Sequence, residues 1–194
     1  MPPKRPFSYR LISAIVLTPI FAIGIIFFIL WLSLRPHHPK FHVHELSVQG
    51  LGHTNGFVNA NIAFNVTVRN PNRRVLIYYE SMRGSVYYKD QRLGVIPVLE
   101  SYFQEPKYTT VMHHVLSGST MMATTNNRRW IEFENDRMRG AVNFNLRFKS
   151  TIKYKNSMWD KGDHHMRVTC NTAVGGDGMI LSNYKGKRCH VHTS

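Results

Sequence analysis

The chain has 194 residues, with 25 Lys and Arg against 11 Asp and Glu, a formal net charge of +14. That length leaves room for one domain of ordinary size beyond any membrane segment. Three bases (Lys4, Arg5 and Arg10) precede residue 11 and every acid follows residue 34, so the part after residue 34 holds 22 bases against 11 acids and is basic in its own right.

Residues Met1–Arg10 are Pro-rich and basic, too short to fold, and are read as a cytosolic tail that meets anionic headgroups. Leu11–Leu34 follows as 24 residues without a charge, between Arg10 and Arg35. As a helix it would extend about 36 Å, enough to cross a hydrocarbon core of about 30 Å with some tilt. Pro19 and Gly24 are tolerated in lipid, where the chain has few alternatives to helix. A core helix of this length would show a polar face, and this one shows none. A cleaved signal peptide would have a shorter apolar run and a small-x-small site, whereas this run ends Trp31-Leu32-Ser33-Leu34-Arg35-Pro36. The segment is therefore read as a retained signal-anchor.

The short flank before the anchor holds more positive charge than the flank after it, which places the N-terminus in the cytosol and the remaining chain outside. Asn65-Val66-Thr67 is a glycosylation sequon, usable only on the lumenal side. Cys170 and Cys189 make an even count that suits one disulfide in an oxidising space. Arg35–Lys40, with Pro36 and Pro39, is read as a stiff extended linker that lifts the domain off the bilayer.

From Phe41 onward the apolar period becomes two. Ile62, Phe64, Val66 and Val68 alternate with Ala63, Asn65, Thr67 and Arg69, which predicts a half-buried strand with the sequon on its solvent face. Asn70-Pro71-Asn72 ends it as a turn. Ile77–Tyr79 and Met82–Lys89 are predicted as two further strands, with a turn at Asp90-Gln91, and Thr109–Leu116 as another. Asn127–Asn135 fits either a short helix or a loop. Gly140–Lys155 has the cleanest alternation, with Val142, Phe144, Leu146, Phe148, Ile152 and Tyr154 on one face. Asn143, Asn145, Arg147, Lys149, Lys153 and Lys155 lie on the other. The last predicted pair of strands is His164–Val174 and Met179–His192, around Gly175-Gly176-Asp177-Gly178. Both cysteines share faces with apolar neighbours, so a disulfide linking these strands would contribute roughly 3 kcal/mol. Many short strands and little helix predict an all-β, antiparallel β-sandwich over residues 41–194.

No nucleotide loop, nucleophile elbow or metalloprotease helix occurs, and neither an enzyme activity nor a cofactor is expected. Of the eleven histidines, His42/His44 and His190/His192 are spaced to share a strand face, but no close cysteine or carboxylate completes a metal site. Outside the cell they would add positive charge on acidification. The candidate surface is the stripe Arg147, Lys149, Lys153 and Lys155. It reads either as a solvated sheet face or as an attraction for polyanions such as wall pectate or the headgroups of an apposed membrane. Nucleic acid, the usual partner of such charge, is not expected outside the cell.

The segment Trp31-Leu32-x-Leu34-Arg35-Pro36-x-x-Pro39-x-Phe41-x-Val43 resembles a plant family related to non-race-specific disease-resistance and harpin-induced proteins. So do Asn70-Pro71-Asn72-Arg73, Ile77-Tyr78-Tyr79-Glu80, Phe103-Gln104, the block Gly140–Lys155 and the two late cysteines. The resemblance covers nearly the whole chain. It implies a late-embryogenesis-abundant group 2 domain, similar to fibronectin type III, held at the plasma membrane in some members at plasmodesmata. It also implies roles in pathogen response, hypersensitive cell death and membrane–wall contact. Glu105-Pro106 departs from the glycine common in the family after Gln104. Some members end in a hydrophobic tail for a lipid anchor, and none follows Cys189 here. The rival reading is a lipid-binding or membrane-tethering protein at membrane contact sites or plasmodesmata, with the sandwich opening an apolar groove near the bilayer. Self-association is left open.

Overall fold

A computed structural model of the protein describes residues 7–34, 36–50, 60–117, 127–156 and 159–194. Lys4, Arg5 and Arg35, used above to orient the chain, lie outside the described residues. The chain divides into two units, Met1–Pro36 and His37–Ser194.

The first unit is one helix, α1 (Phe7–Leu34), which begins four residues before the predicted anchor and so includes the end of the predicted tail. Ile12–Leu32 is long and apolar enough to cross a membrane, and none of it is buried. Pro19 lies inside it and has no N–H to give. One residue earlier, the Thr18 hydroxyl donates to the Ala14 carbonyl at 2.5 Å.

The second unit is a sandwich of two antiparallel sheets. Its elements are β1 (Lys40–Gln49), β2 (Asn61–Arg69), β3 (Leu76–Tyr88), β4 (Gln91–Leu99), β5 (Tyr102–Gln104), β6 (Thr109–Leu116) and α2 (Asn127–Met138). They continue with β7 (Val142–Asn156), β8 (Trp159–Val174), β9 (Lys187–Arg188) and β10 (His190–Thr193). One sheet has the order β6-β2-β1-β9; the other runs β10-β8-β7-β3-β4, with β5 also on β3.

The core lies between the sheets and follows the sequence alternation. Phe41 and Phe64 of the first sheet meet Phe148 of the second, with ring centroids 6.1 and 6.0 Å away. All three are almost fully buried, and burial of each such side chain is worth about 1.5–3 kcal/mol. At one end α2 inserts Phe133 between Trp130, Tyr88 and Phe144, at 5.4, 5.4 and 6.4 Å. Asn127–Asn135, open between helix and loop in the sequence, is thus helix throughout.

Several predicted boundaries differ, for identifiable reasons. Ile77–Tyr79 and Met82–Tyr88 are parts of one strand, β3, with a register shift between Tyr79 and Met82. An extra residue inverts side-chain parity without ending the ladder, so a bulge looks like a gap in sequence. The turn before β4 is Lys89-Asp90, with Lys89 at φ 53°. β4 and β5 were not anticipated. β4 carries Pro97, which is exposed, and β4 pairs only with β3, the edge position where a strand proline is tolerated. The predicted final strand Met179–His192 is broken by turns over residues 182–186, which separate two bridge residues, Met179 and Ile180, from the two short strands β9 and β10. Gly178, just before it, sits at φ +76°, where an added Cβ would lie 2.2 Å from the Val48 carbonyl oxygen. The predicted linker 35–40 also changes character from residue 37: His37 hydrogen-bonds into the sandwich, and Pro39 is buried.

Candidate functional site

The face of β7 that points away from the core carries Arg147, Lys149, Lys153 and Lys155, as the alternation predicts. They do not form one free stripe. Lys153 is paired with Asp163 at 3.0 Å. The hydrogen bond to that carboxylate, followed by its charge, holds the Lys153 ammonium above its ordinary pKa. A shift in register between Ile152 and Tyr154 brings Asp163 to that position. Lys155 lies over the rings of Tyr78 and Phe103, 5.9 and 5.6 Å from their centroids, a cation–π arrangement.

The positive charge instead spreads across strands. Lys149 stands opposite Arg83 of β3 on one side and Arg167 of β8 on the other. Arg167 in turn stands opposite His192 of β10. Arg147, one pleat along, lies with its guanidinium 4.1 Å from the Tyr87 ring centroid, while its Nε donates to Asn145 Oδ1 at 2.9 Å. Arg83, Arg92, Arg147, Lys149, His165 and Arg167 border one shallow depression of about 500 Å³. Among the described residues, no carboxylate pairs with Arg83, Arg92, Lys149 or Arg167. Sequence reading missed Arg83, Arg92, His165 and Arg167 because parity identifies a strand's outer face but not its neighbours.

The acids gather elsewhere. On α2 and the adjoining turn, Glu132 meets Arg129 at 2.6 Å and Lys89 at 3.2 Å, and Arg129 also reaches Asp90 at 2.7 Å. The hydrogen bond from Arg129, then that from Lys89, holds the Glu132 carboxyl below its usual range. Tyr88 donates to Asp136 at 2.8 Å, and burial followed by that bond pushes its phenol up to about 12.

The turn Asn70-Pro71-Asn72 does more than reverse the chain. Asn70 Nδ2 is shared among the carbonyls of Val75, Gln104 and Glu105 at 2.9, 3.2 and 3.1 Å. Its Oδ1 accepts from the backbone and side-chain nitrogens of Asn72. Asn72 then holds His37, accepting from its N–H at 2.7 Å and donating to its carbonyl at 2.9 Å. Gln104 completes the group, donating to the Val68 carbonyl at 2.8 Å and accepting from the Tyr79 hydroxyl at 3.0 Å. Burial raises the Tyr79 phenol well above its ordinary value.

On the other sheet, Asn65 lies on the outer face of β2, half-buried between Glu45 of β1 and His113 of β6. Its Oδ1 is buried without a hydrogen-bond partner among the described residues. His42 and His44 share this face, where His44 Nε2 meets Thr67 Oγ1 at 3.0 Å. Burial, followed by the charges of His44, Arg188 and Lys40, lowers the His42 pKa. A histidine that binds protons less tightly when folded than unfolded makes the fold less stable as pH falls below about 6.5, through the lowered folded value. His42→Gln is therefore expected to reduce the loss of denaturation midpoint between about pH 7.5 and 5. An unchanged slope would show that His42 contributes nothing to it. No three His, Cys, Asp or Glu side chains converge as a metal would require among the described residues.

Cys170, on β8, is joined to Cys189 in a disulfide with a Cα–Cα distance of 4.5 Å. Cys189 lies between β9, which pairs with β1, and β10, which pairs with β8. The bond therefore pins the chain where it passes from one sheet to the other, with the Cys189 N–H also given to the Phe41 carbonyl at 2.9 Å.

Residues 65–172 match the family model described as late embryogenesis abundant protein. The chain is similar to NDR1/HIN1-like protein 10 of Arabidopsis thaliana, 30% identical over 73% of this chain and 62% of that protein. It is also similar to NDR1/HIN1-like protein 3 of the same organism, 37% identical over 56% of this chain and 47% of that protein. These matches span about half to three-fifths of the relatives' own length. A solved late embryogenesis abundant protein aligns over 84% of each chain at 16% identity, with a TM-score of 0.39.

Proposed function

The chain belongs to the late embryogenesis abundant group whose model spans most of its sandwich, and from that premise we propose that it is a non-enzymatic, single-pass plasma-membrane protein of plant defence. Its N-terminus faces the cytosol and the sandwich faces outward, where it makes contact with the cell wall or with wall-bound partners. The defence role is carried over from relatives named NDR1/HIN1-like proteins. The mechanism is contact: the helix supplies location, and the rigid sandwich supplies a charged surface.

The observation that carries this reading is the combination in one chain of an uncharged 21-residue span with a disulfide-linked sandwich. Such a bond persists in oxidising compartments rather than in the cytosol. The sequon on an outer sheet face supports the same side of the membrane. Expression in plant cells followed by glycosidase treatment tests it. We expect a mobility shift in the wild type that is absent in Asn65→Gln. No shift, together with protection of the sandwich from external protease, would sink the outward placement.

A further inference from the structure

We propose that the outer face of the six-stranded sheet is a binding site for a linear acidic polysaccharide, read by the cross-strand row Arg83, Lys149, Arg167 and His192. The assignment deepens the wall-contact function and rests on the outward placement proposed above.

The row is made by register. Four adjacent strands, β3, β7, β8 and β10, each contribute one outward side chain at the paired position. Neighbouring strands lie about 4.8 Å apart, so the four positions form a line about 14 Å long. A sugar chain with one carboxylate per ring repeats its charge at a similar interval. Such a ligand lying across the strands would meet Arg83, Lys149 and Arg167 at successive rings, with the His192 imidazole at the end of the row. A strand-parallel ligand would not, because Lys153 and Lys155 are already held by Asp163 and by two aromatic rings.

The surroundings suit a carbohydrate. Ser85 and Thr169 flank Arg147 in the next row, offering hydroxyls to sugar hydroxyls beside the cations. The guanidinium forks can take a carboxylate through two parallel bonds. An open depression of about 500 Å³, rather than a closed pocket, admits a chain that continues past both ends. A compact polyphosphate would need donors converging on one point, and here they lie in a line. The face also stands clear of the domain's chain entry: Lys149 is five residues along β7 from Tyr154, whose hydroxyl meets His38 at 3.1 Å. That separation is about 17 Å of strand.

The test uses the full chain in detergent, applied to immobilised polygalacturonate at about physiological ionic strength. The variants are the triple reversal Arg83→Glu, Lys149→Glu, Arg167→Glu and its neutral counterpart with Gln at the three positions. A charge-matched control carries Arg73→Glu, Arg74→Glu and Lys185→Glu, all exposed and outside the row. We expect the wild type to be retained and the triple reversal to lose about tenfold or more in affinity. The Gln variant should lose less, and the control should stay within about twofold. Near-ultraviolet circular dichroism shared by all four proteins establishes that the fold is intact. Equal loss in the control would mean that net charge alone binds, and would overturn the site. So would an unretained wild type. Displacement by inositol hexakisphosphate, or by vesicles containing phosphatidylserine, at lower anion concentration than by oligogalacturonate would also overturn it. A glycosylated wild type that fails to bind refutes the site and leaves the outward placement standing. Binding by a protein with no glycan shift and a protease-protected sandwich refutes the placement, and with it this partner.

Discussion

Asn70→Ala is expected to cost the sandwich about 3–5 kcal/mol, because it strands several buried groups at once. Asn70 is 0% exposed and its amide serves three carbonyls, while its oxygen holds both nitrogens of Asn72. Alanine removes every one of these bonds at a position closed to solvent in the native fold. The damage should spread to the chain's entry into the domain, since Asn72 is what grips His37. Denaturant titration of the full chain measures the stability loss, and amide exchange at His37 measures the spread. A loss below about 1 kcal/mol would show that water replaces Asn70, and that the group is peripheral to the fold.

Replacing both cysteines, Cys170→Ser with Cys189→Ser, is expected to cost about 3 kcal/mol, from the loop closed over a separation of 19 residues. For a domain of this size that corresponds to a fall of about 6–12 °C in Tm. The local effect should exceed the global one. β9 and β10 are two and four residues long and hold opposite sheets, so the bond shares the work of keeping the final segment in register with short ladders only. Amide exchange at His192 and Ser194, whose N–H groups face β8, should rise well before the rest of β8 opens. Reductant added to the wild type should reproduce the variant's midpoint. Equal protection of β10 in both forms would mean that its backbone ladder alone suffices.

The apolar N-terminal helix and the sandwich's inner faces were legible in the residues because each depends on a local property of the chain. An uncharged run longer than a bilayer is thick has few fates, and strict alternation in Ile62–Val68 and Val142–Phe148 leaves one face for the core. Even the bulge in β1 is written there: buried Phe41, Val43, Leu46 and Val48 step by two, three and two. The same irregular step in β3 divided one strand into two, since a parity change and a gap look alike until the partner strand is known. β4 was hidden by Gly94 and Pro97, tolerable only because that strand is an edge.

For the charged surface the division is sharper. Arg147, Lys149, Lys153 and Lys155 could be placed on one outer face from sequence, since side chains two apart in a strand point the same way. Which of them remain available was decided by tertiary structure, through Asp163, Tyr78 and Phe103. The row that replaced the stripe joins residues 83, 149, 167 and 192, and its members share no local pattern. Strand order and register alone bring them together, because both are set by long-range pairing that no window of sequence contains.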